Sequence, residues 1–184
     1  VKPLMLVGQG VEIAGAREEL LALAEKAQIP FGQTMLGLSA APTSHPLNMG
    51  MLGMHGNLAP NVMTNQCDLL IAVGMRFDDR VTGDLHTYAK QAKVIHFEID
   101  PSEVGKIVKP TVAVLGDCKQ TLAQVTELVQ ETKHQAWIDG FKPYAEKEYN
   151  KVIDAALNPT EGPLLMGEVV RRVSEATNNE AIMV

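Results

Sequence analysis

The stretch DLLIAVGMRFDDRVTG, residues 68–83, holds the clearest strand signal in the sequence and the turn that follows it. After Asp68, residues 69–73 form a short apolar run, which is typical of a strand that is buried on both faces of a parallel sheet. Gly74 ends the run, and two arginines and two aspartates fall within residues 76–80. Because ligands bind beyond the carboxyl ends of parallel strands, this order predicts a ligand-facing turn.

Apolar runs of the same kind recur on both sides of this stretch and alternate with amphipathic segments. The alternation predicts an α/β fold: a Rossmann-like, doubly wound parallel sheet of about six strands with helices on both faces. A Gly-, Met- and Pro-rich loop is expected over residues 35–56, longer than most loops in compact domains. The segments predicted from the pattern are strands at 3–7, 29–34, 68–73, 93–99 and 111–115, and helices at 14–28, 57–66 and 118–130.

The pattern changes in the last third of the chain, where charged helical sequence over 137–157 is followed by no strand. After a Pro- and Gly-containing break, we predict a helix over 164–176 and the start of a strand at 181–184. Because that strand signal ends with the sequence, we expect the chain to be part of a longer protein. The predicted organisation is a dinucleotide-binding domain over 1–133, a helical connector over 134–163 and the start of a further domain over 164–184.

Composition narrows the class of protein. The 184 residues are 46% hydrophobic and 21% charged, which is close to the average for globular domains. With 22 acidic against 16 basic residues the net charge is −6, so the overall field would repel nucleic acid and anionic lipid. The sequence lacks an apolar run of the roughly 20 residues needed to span a bilayer. We therefore expect a cytoplasmic protein without nucleic-acid or membrane partners, in which Cys67 and Cys118 are reduced, buried thiols.

The turns after the predicted strands share a composition that suits a dinucleotide. Glycine lets backbone amides approach a ligand closely, and arginine supplies planar, permanently charged donors for phosphate. Acidic residues after the later strands can accept hydrogen bonds from ribose or adenine. Together the turns predict a bound dinucleotide with a pyrophosphate, and their residues are 8–10, 52–56, 74–80, 98–103 and 116–117.

The turn Gly8-Gln9-Gly10 also admits other interpretations. Ile13 stands where the nicotinamide-dinucleotide fingerprint has its third glycine, and no acidic residue ends the second predicted strand. A nicotinamide cofactor therefore fits this turn poorly. The two glycines also fit a purely structural role, in which they let a strand turn tightly into a helix.

The charged turn over 76–80 leaves two interpretations open. In one, Arg76 or Arg80 binds a phosphate and an aspartate fixes its guanidinium. In the other, the four charged residues form a solvated cluster with internal salt bridges. Acid–base work by Asp78 and Asp79 is disfavoured, because side chains at adjacent positions tend to diverge.

The five histidines show no metal-binding spacing, so no metal site is predicted from them. His55 lies between a methionine and a glycine, in a loop that could surround a planar ring, although a single loop histidine is more often a hydrogen-bonded structural residue than a ligand. Several methionines occur in the same region, where thioethers suit either a flat aromatic ligand or core packing. They are Met35, Met49, Met51, Met54 and Met63.

Four segments give the sequence a specific resemblance. GMLGMHG (50–56), GMRFDDRVTG (74–83), IDPSEVGK (99–106) and the dipeptide Gly116-Asp117 resemble, in this order, the central domain of the acetolactate synthase (acetohydroxyacid synthase) family. The similarity runs from about Lys2 to Leu128, and the sequence from about Trp137 resembles the connector to the next domain. Glyoxylate carboligases carry a similar domain, so a related carboligase stays an alternative. Two further alternatives are a flavin-free scaffold domain and a free-standing NAD oxidoreductase.

The resemblance implies a three-domain transferase subunit that uses thiamine diphosphate and Mg²⁺ in branched-chain amino-acid biosynthesis. Its outer domains hold these two cofactors between subunits of a homo-oligomer, and the central domain binds FAD, which does no net redox chemistry. The whole enzyme would join a two-carbon unit from pyruvate to pyruvate or 2-oxobutyrate, and a regulatory small subunit is a further possible partner. The family's activating glutamate and its Gly-Asp-Gly…Asn metal motif are absent from this sequence. We therefore expect no catalytic residue, no metal site and no activity in this chain alone.

The resemblance also assigns roles to individual positions. Asp79 and Arg80 would lie near the substrate channel, and Gln9 stands where the family often has another glycine. The residues implied to contact FAD are Gly8, Gln9 and Gly10 near the ribityl and phosphate groups; Thr34, Met35, Leu36, Gly53, Met54 and His55 beside the flavin; Gly74, Arg76, Asp78, Arg80 and Val81 around the pyrophosphate; and Glu98, Ile99, Asp100, Gly116, Asp117 and Cys118 at the adenosine end.

Overall fold

A computed structural model describes residues 1–182, which form two compact units, 1–142 and the residues from Pro143 onward. The first unit is built on a six-stranded sheet in which every neighbouring pair of strands is parallel. The strand order is β3-β2-β1-β4-β5-β6, which is the order of a doubly wound dinucleotide-binding fold and confirms the predicted fold class. The strands are β1 (Pro3–Val7), β2 (Phe31–Gln33), β3 (Asn48–Met51), β4 (Leu69–Val73), β5 (Lys93–Glu98) and β6 (Val112–Leu115).

Helices connect the strands of this sheet. The longer ones, α2 and α5, begin and end with specific backbone features: Asp117 caps the first turn of α5, and Gln28 ends α2 in the left-handed conformation at φ 49°. The helices of the first unit are α1 (Gln9–Ile13), α2 (Arg17–Ala27), a 3₁₀ turn (Met35–Gly37), α3 (Leu58–Thr64), α4 (Asp79–Thr82), α5 (Cys118–Leu128) and α6 (Gln135–Asp139).

The core lies on both faces of the sheet because β1 and β4 occupy its centre. On one face Leu20 of α2 and Leu122 of α5 pack into a cluster with Val7, Val73 and Phe97. Alternate strand residues such as Leu6 and Leu70 are fully buried on the other face. The indole N–H of Trp137 donates to the Pro3 carbonyl at 2.7 Å, which ties α6 to the start of β1.

Three segments of the first unit differ from the predictions. The helix expected over 14–28 is α2, which begins only at Arg17, and the separate short helix α1 precedes it where a turn was expected, with Gly15 at φ +59° between the two. The expected loop over 35–56 contains the 3₁₀ turn and strand β3, whose sequence Asn-Met-Gly-Met lacks the β-branched residues that signal a strand. The four-residue helix α4 lies inside the charged turn after β4 and has no periodic signal of its own.

The second unit is helical in the residues that the structure describes. A continuous helical stretch consists of α7 (Lys142–Glu148), a π-helical turn (Tyr149–Ile153) and α8 (Asp154–Leu157), and α9 spans Met166–Ala176. The Nε–H of Arg171 in α9 donates to the Leu157 carbonyl at 2.9 Å. The strand predicted at 181–184 is not formed at 181 and 182, and its last two residues lie outside the described part of the chain. Along residues 1–182, no helix is long and apolar enough to cross a membrane.

Candidate functional site

The centre of the carboxyl edge is closed by backbone packing between the exits of β1 and β4. The N–H of Gly8 donates to the Val73 carbonyl at 2.9 Å, and the N–H of Gly10 donates to the Gly74 carbonyl at 3.0 Å. A Cβ added at Gly10 would lie 2.7 Å from the Cα of Gly74, and one at Gly74 would lie 2.7 Å from the Cα of Gly10. Glycine is therefore required at both positions so that the two strand exits can meet.

The charged turn after β4 is anchored by a buried aromatic ring between two outward-facing charges. Phe77 is 1% exposed and adopts φ +57°, a left-handed conformation that bulky residues rarely adopt. Its ring meets the His96 ring edge-on, with centroids 5.0 Å apart. The side chains on either side are much more exposed, and the Arg76 guanidinium donates to the Asp78 carboxylate at 3.3 Å.

The same turn continues into α4 and contacts the loop after β3. The Asp78 carboxylate caps α4 by accepting a hydrogen bond from the Arg80 N–H at 2.9 Å. The Met54 N–H donates to the Arg80 carbonyl at 2.7 Å, and the Arg80 guanidinium lies 3.7 Å from the Met54 sulfur. Asp79 is exposed and Val81 is half-buried beside them. The exits of β3 and β4 therefore form one continuous surface.

A buried amide holds the segment that follows β2. Gln33, the last residue of β2, is 1% exposed, and its side-chain N–H groups donate to the carbonyls of Gly37 at 2.9 Å, Leu38 at 3.1 Å and Ala41 at 3.3 Å. Its side-chain oxygen accepts from the Asn48 amide at 2.8 Å. The Thr34 hydroxyl accepts from the Gly37 N–H at 3.2 Å, which closes the 3₁₀ turn.

These bonds leave apolar side chains exposed on the segments after β2 and β3. Met35 is 61% exposed and Leu36 is 67% exposed, and on the β3 side Met54 is 60% exposed. His55 is exposed beside Met54, and buried Gly53 lies against the backbone of Arg80. Asn61 supports this loop by accepting from the Gly53 N–H and donating to the Gly53 carbonyl, each at 2.9 Å.

The turn after β5 is ordered by its own carboxylate. Glu98 is 8% exposed, and one of its carboxylate oxygens accepts from the N–H groups of Ile99 at 2.9 Å and Asp100 at 3.2 Å. The side chains of Ile99 and Asp100 are exposed. Hydrogen bonds from Ser102 lower the pKa of the Asp100 carboxyl below its usual value.

The turn after β6 leads directly into α5. The Gly116 N–H donates to the Glu98 carbonyl at 3.0 Å, which joins the exits of β5 and β6. The Asp117 carboxylate accepts from the Lys119 N–H at 2.8 Å and caps α5. Burial, followed by the nearby carboxylates of Glu98 and Asp117, raises the pKa of the Cys118 thiol to about 11, so this thiol is protonated and unreactive near neutral pH.

The structure thus brings the residues singled out from the sequence to one edge of the sheet, because all six strands run in the same direction. Not all of their groups face outward: the amides of Gly8 and Gly10 and one carboxylate oxygen of Glu98 are bonded within the protein. The exposed side chains include two guanidiniums, the carboxylates of Asp79 and Asp100, the His55 ring and several apolar groups. Sequence reasoning missed the supporting residues Gln33, Asn48, Asn61 and His96, and the amides among them carried a signal, as polar residues in a Gly- and Met-rich segment.

Among residues 1–182, no group of three or more His, Cys, Asp and Glu side chains is arranged to hold a metal ion. A depression of about 820 Å³ lies at the opposite, amino edge of the sheet, where Lys26, Glu131 and Lys133 contribute to its lining. Its cations lie beside acidic residues, and the turns after the strands lie at the other edge of the sheet, so we place the candidate site at the carboxyl edge.

Fold and site together define a Rossmann-like α/β domain whose carboxyl edge presents guanidinium and apolar groups. Residues 1–125 match the family described as "Thiamine pyrophosphate enzyme, central domain", and the chain belongs to this family.

Curated relatives of the chain are acetolactate synthase large subunits. A probable large subunit of Methanocaldococcus jannaschii is 50% identical over 121 residues, which cover 66% of this chain and 20% of the relative. The large subunit of Parasynechococcus marenigrum is 42% identical over 178 residues, covering 95% of this chain and 28% of the relative. The large subunit of Corynebacterium glutamicum is 46% identical over 146 residues, covering 77% of this chain and 23% of the relative. The chain therefore spans less than a third of the length of these relatives.

Proposed function

We propose that this chain is the FAD-binding central domain of an acetolactate synthase large subunit. The observation that carries the proposal is the pair of exposed guanidiniums, Arg76 and Arg80, on a turn that is joined to the exposed thioether of Met54. Arginine suits a pyrophosphate, and methionine suits the face of a flat aromatic ring. A single ligand with both parts matches this surface.

The dimensions and charges of the edge also fit FAD. Six adjacent strands span about 24 Å, which accommodates an extended dinucleotide. The guanidiniums are held in place by exposed pairs with Asp78 and Asp79, at 3.3 Å and 4.0 Å. Exposed pairs of this kind contribute little to stability, so a phosphate can replace the carboxylate at small cost. The net charge of the chain is −6, and the turn over 76–80 holds two arginines and two aspartates, so direct hydrogen bonds from the guanidiniums, rather than the overall field, would hold the ligand.

The activity proposed for the whole protein follows from the family and its relatives. Thiamine diphosphate and Mg²⁺ would be held by other domains of the subunit, and the whole enzyme would join a two-carbon unit from pyruvate to a second 2-oxo acid. FAD would do no net redox chemistry there. In this proposal the present chain contributes the pyrophosphate-binding turn, the apolar surface after β2 and β3, and the positions Asp79 and Arg80 beside the substrate channel. Its proposed partners are the other domains, further subunits and a regulatory subunit.

A titration of the 184-residue chain with FAD, followed by flavin fluorescence and by thermal unfolding, tests the proposal. Saturable binding with a Kd near 1 μM would add about 2.7 kcal/mol to the free energy of unfolding at 100 μM FAD. The matched control is NADH, which contains the same pyrophosphate and adenosine but no flavin. We expect stabilisation by FAD and little by NADH.

The alternatives give different results in the same titration. An unchanged unfolding temperature with FAD would contradict the proposal and favour a scaffold domain, an alternative that the closed packing of Gly10 on Gly74 also favours. Stronger stabilisation by NADH than by FAD would favour the oxidoreductase alternative. Turnover of pyruvate by this chain with thiamine diphosphate and Mg²⁺ would contradict the expectation that it is inactive alone.

A further inference from the structure

We infer that His96 is a positioning residue for the pyrophosphate-binding turn, and that it acts through the backbone of Met75 and the ring of Phe77. His96 is fully buried in β5, next to the central strand β4. Its Nε2 lies 2.8 Å from the Met75 carbonyl oxygen, and its ring meets the Phe77 ring. Both contacted residues flank Arg76 in the sequence, so His96 holds the turn on each side of the arginine. The inference rests on the proposed function only for the identity of the ligand.

The hydrogen bond fixes the role of one ring nitrogen of the histidine. A carbonyl oxygen can only accept, so Nε2 carries a hydrogen and donates it to Met75, and the Glu98 carboxylate lies 3.7 Å from the same nitrogen. Within residues 1–182 Nδ1 has no hydrogen-bond partner although it is buried. An unsatisfied buried polar atom destabilises a folded protein, so packing alone would favour an apolar side chain at this position. What histidine provides here, and an apolar residue does not, is the donor to Met75.

The turn needs such a support because its backbone is strained. Phe77 adopts φ +57°, and a bulky residue remains in that conformation only when its surroundings fix it. Here the ring is enclosed by two aromatic neighbours, His96 with centroids 5.0 Å apart and Tyr88 with centroids 6.5 Å apart, both edge-on. The inward Phe77 leaves Arg76 and Asp78 facing outward as an ion pair. Loss of the His96 contacts would let this segment relax and would move the guanidinium.

Four substitutions separate positioning from general stability. His96→Leu removes the donor, whereas His96→Gln keeps one, because the Nε2 of glutamine is as many bonds from Cα as the Nε2 of histidine. Phe97→Leu is the matched control: it alters the next residue of β5, which is 2% exposed and packs in the cluster on the opposite face of the sheet. His96→Phe serves as a second donor-free variant that keeps an aromatic ring if His96→Leu does not fold.

The first readout is independent of any ligand. The N–H groups of Arg80, Val81 and Thr82 all bond to Asp78, so their hydrogen exchange reports on the order of the turn. We expect the donor-free variant to speed exchange at these three amides about tenfold, and His96→Gln to stay within about twofold of the unmodified chain. Equal acceleration in Phe97→Leu and in the donor-free variant would overturn the inference, because it would indicate general destabilisation.

The second readout is FAD affinity in a double-mutant cycle with Arg76→Ala. We expect the donor-free variant to weaken FAD binding about tenfold in the unmodified background and to have little further effect when Arg76 is already alanine. Equal effects in both backgrounds would overturn the claim that His96 acts through this turn. If the unmodified chain does not bind FAD, the proposed function fails, and the exchange measurement still decides whether His96 positions the turn.

Discussion

The carboxyl edge of the sheet has a closed centre and open flanks. At the centre, glycines 8, 10 and 74 pack backbone against backbone, and their N–H groups bond to carbonyls of the protein. On the flanks, the segments after β2, β3 and β4 hold their backbones with buried amides and caps while their longer side chains face outward. Both regions are rich in residues typical of nucleotide sites, yet they differ in what those residues do.

Residues that are typical of nucleotide sites therefore occur at this edge for two different reasons. Glycine at the centre is needed because a Cβ would collide with the neighbouring strand exit, whether or not a ligand is bound. Arginine and methionine on the flanks satisfy few contacts of the fold, since Arg76 and Arg80 make only exposed pairs. We therefore expect changes at the centre to alter folding and changes on the flanks to alter binding.

The largest effect is expected at the centre, from Gly74→Ala. A Cβ at Gly74 would lie 2.7 Å from the Gly10 Cα, and the position has φ +57°. Gly83→Ala is the matched control, because Gly83 has φ +58° and nothing within 4 Å of an added Cβ. We expect Gly74→Ala to lower the free energy of unfolding by about 3 kcal/mol or more and Gly83→Ala by about 1 kcal/mol. Urea denaturation measures both, and equal losses would contradict the closed centre.

A smaller loss of stability is expected from Gln33→Leu, at the border between the two regions. Leucine would remove the donor to the carbonyls of Gly37, Leu38 and Ala41, and the bonds to Gly37 and Ala41 are buried. We expect the free energy of unfolding to fall by about 2–3 kcal/mol and hydrogen exchange to become faster over 35–41. Gln28→Ala is the control. Because the Gln28 amide makes an exposed hydrogen bond to the Glu25 carbonyl, its loss should lower the free energy of unfolding much less. An unchanged free energy of unfolding in Gln33→Leu would show that the segment is held by other contacts.

On the open flank, Arg76→Ala should affect binding rather than folding. If its guanidinium contacts a phosphate, the loss of a charge-assisted hydrogen bond weakens FAD binding by about 1.5–3 kcal/mol. The free energy of unfolding should change by less than about 1 kcal/mol, because the pair with Asp78 is exposed. Lys109→Ala, which removes an exposed charge before β6 at the other edge, controls for net charge. Unchanged FAD titration of the Arg76 variant would remove this residue from the site.

The smallest effect concerns the β6 flank and depends on pH. Burial raises the pKa of Cys118 to about 11 from 9.0, so its contribution to stability is complete below pH 9 and is lost as the pH rises through about 11. We expect the free energy of unfolding to fall by about 1–2 kcal/mol over this interval through this thiol. Cys118→Ala should flatten that part of the curve, measured by urea denaturation from pH 8 to 11. An identical slope in the variant would indicate that the thiol is not buried.

The sequence was sufficient to predict the fold class, because β1 and β4 are uninterrupted apolar runs, β5 carries Val94, Ile95 and Phe97, and amphipathic segments alternate with the strands. It failed for β3, whose Asn-Met-Gly-Met sequence is half-buried. This strand is held by hydrogen bonds from the N–H groups of Gly50 and Met51 to the side-chain oxygens of Asn48 and Asn57, rather than by apolar alternation. Such side-chain to backbone bonds depend on the tertiary structure, so no local pattern reveals them.

For the candidate site, the sequence predicted which turns lie together at one edge of the sheet. It did not predict which of their polar atoms are hydrogen-bonded within the protein. Strand direction alone places the turns after β1 to β6 at one edge, and Arg76 follows from that placement. The sequence does not show that the N–H of Gly10 is bonded to Gly74, or that Glu98 bonds to the backbone of its own turn. These pairings depend on how neighbouring strand exits pack, and His96 was missed because its partner Met75 lies on another strand exit.

The most direct test of the open flanks is an amide chemical-shift titration of the 184-residue chain with FAD. The account predicts shifts concentrated in the turns that carry Met54, Arg76, Arg80 and Ile99, at the carboxyl edge. Binding that instead shifts the amides of residues 131–135, around the depression at the amino edge, would contradict it.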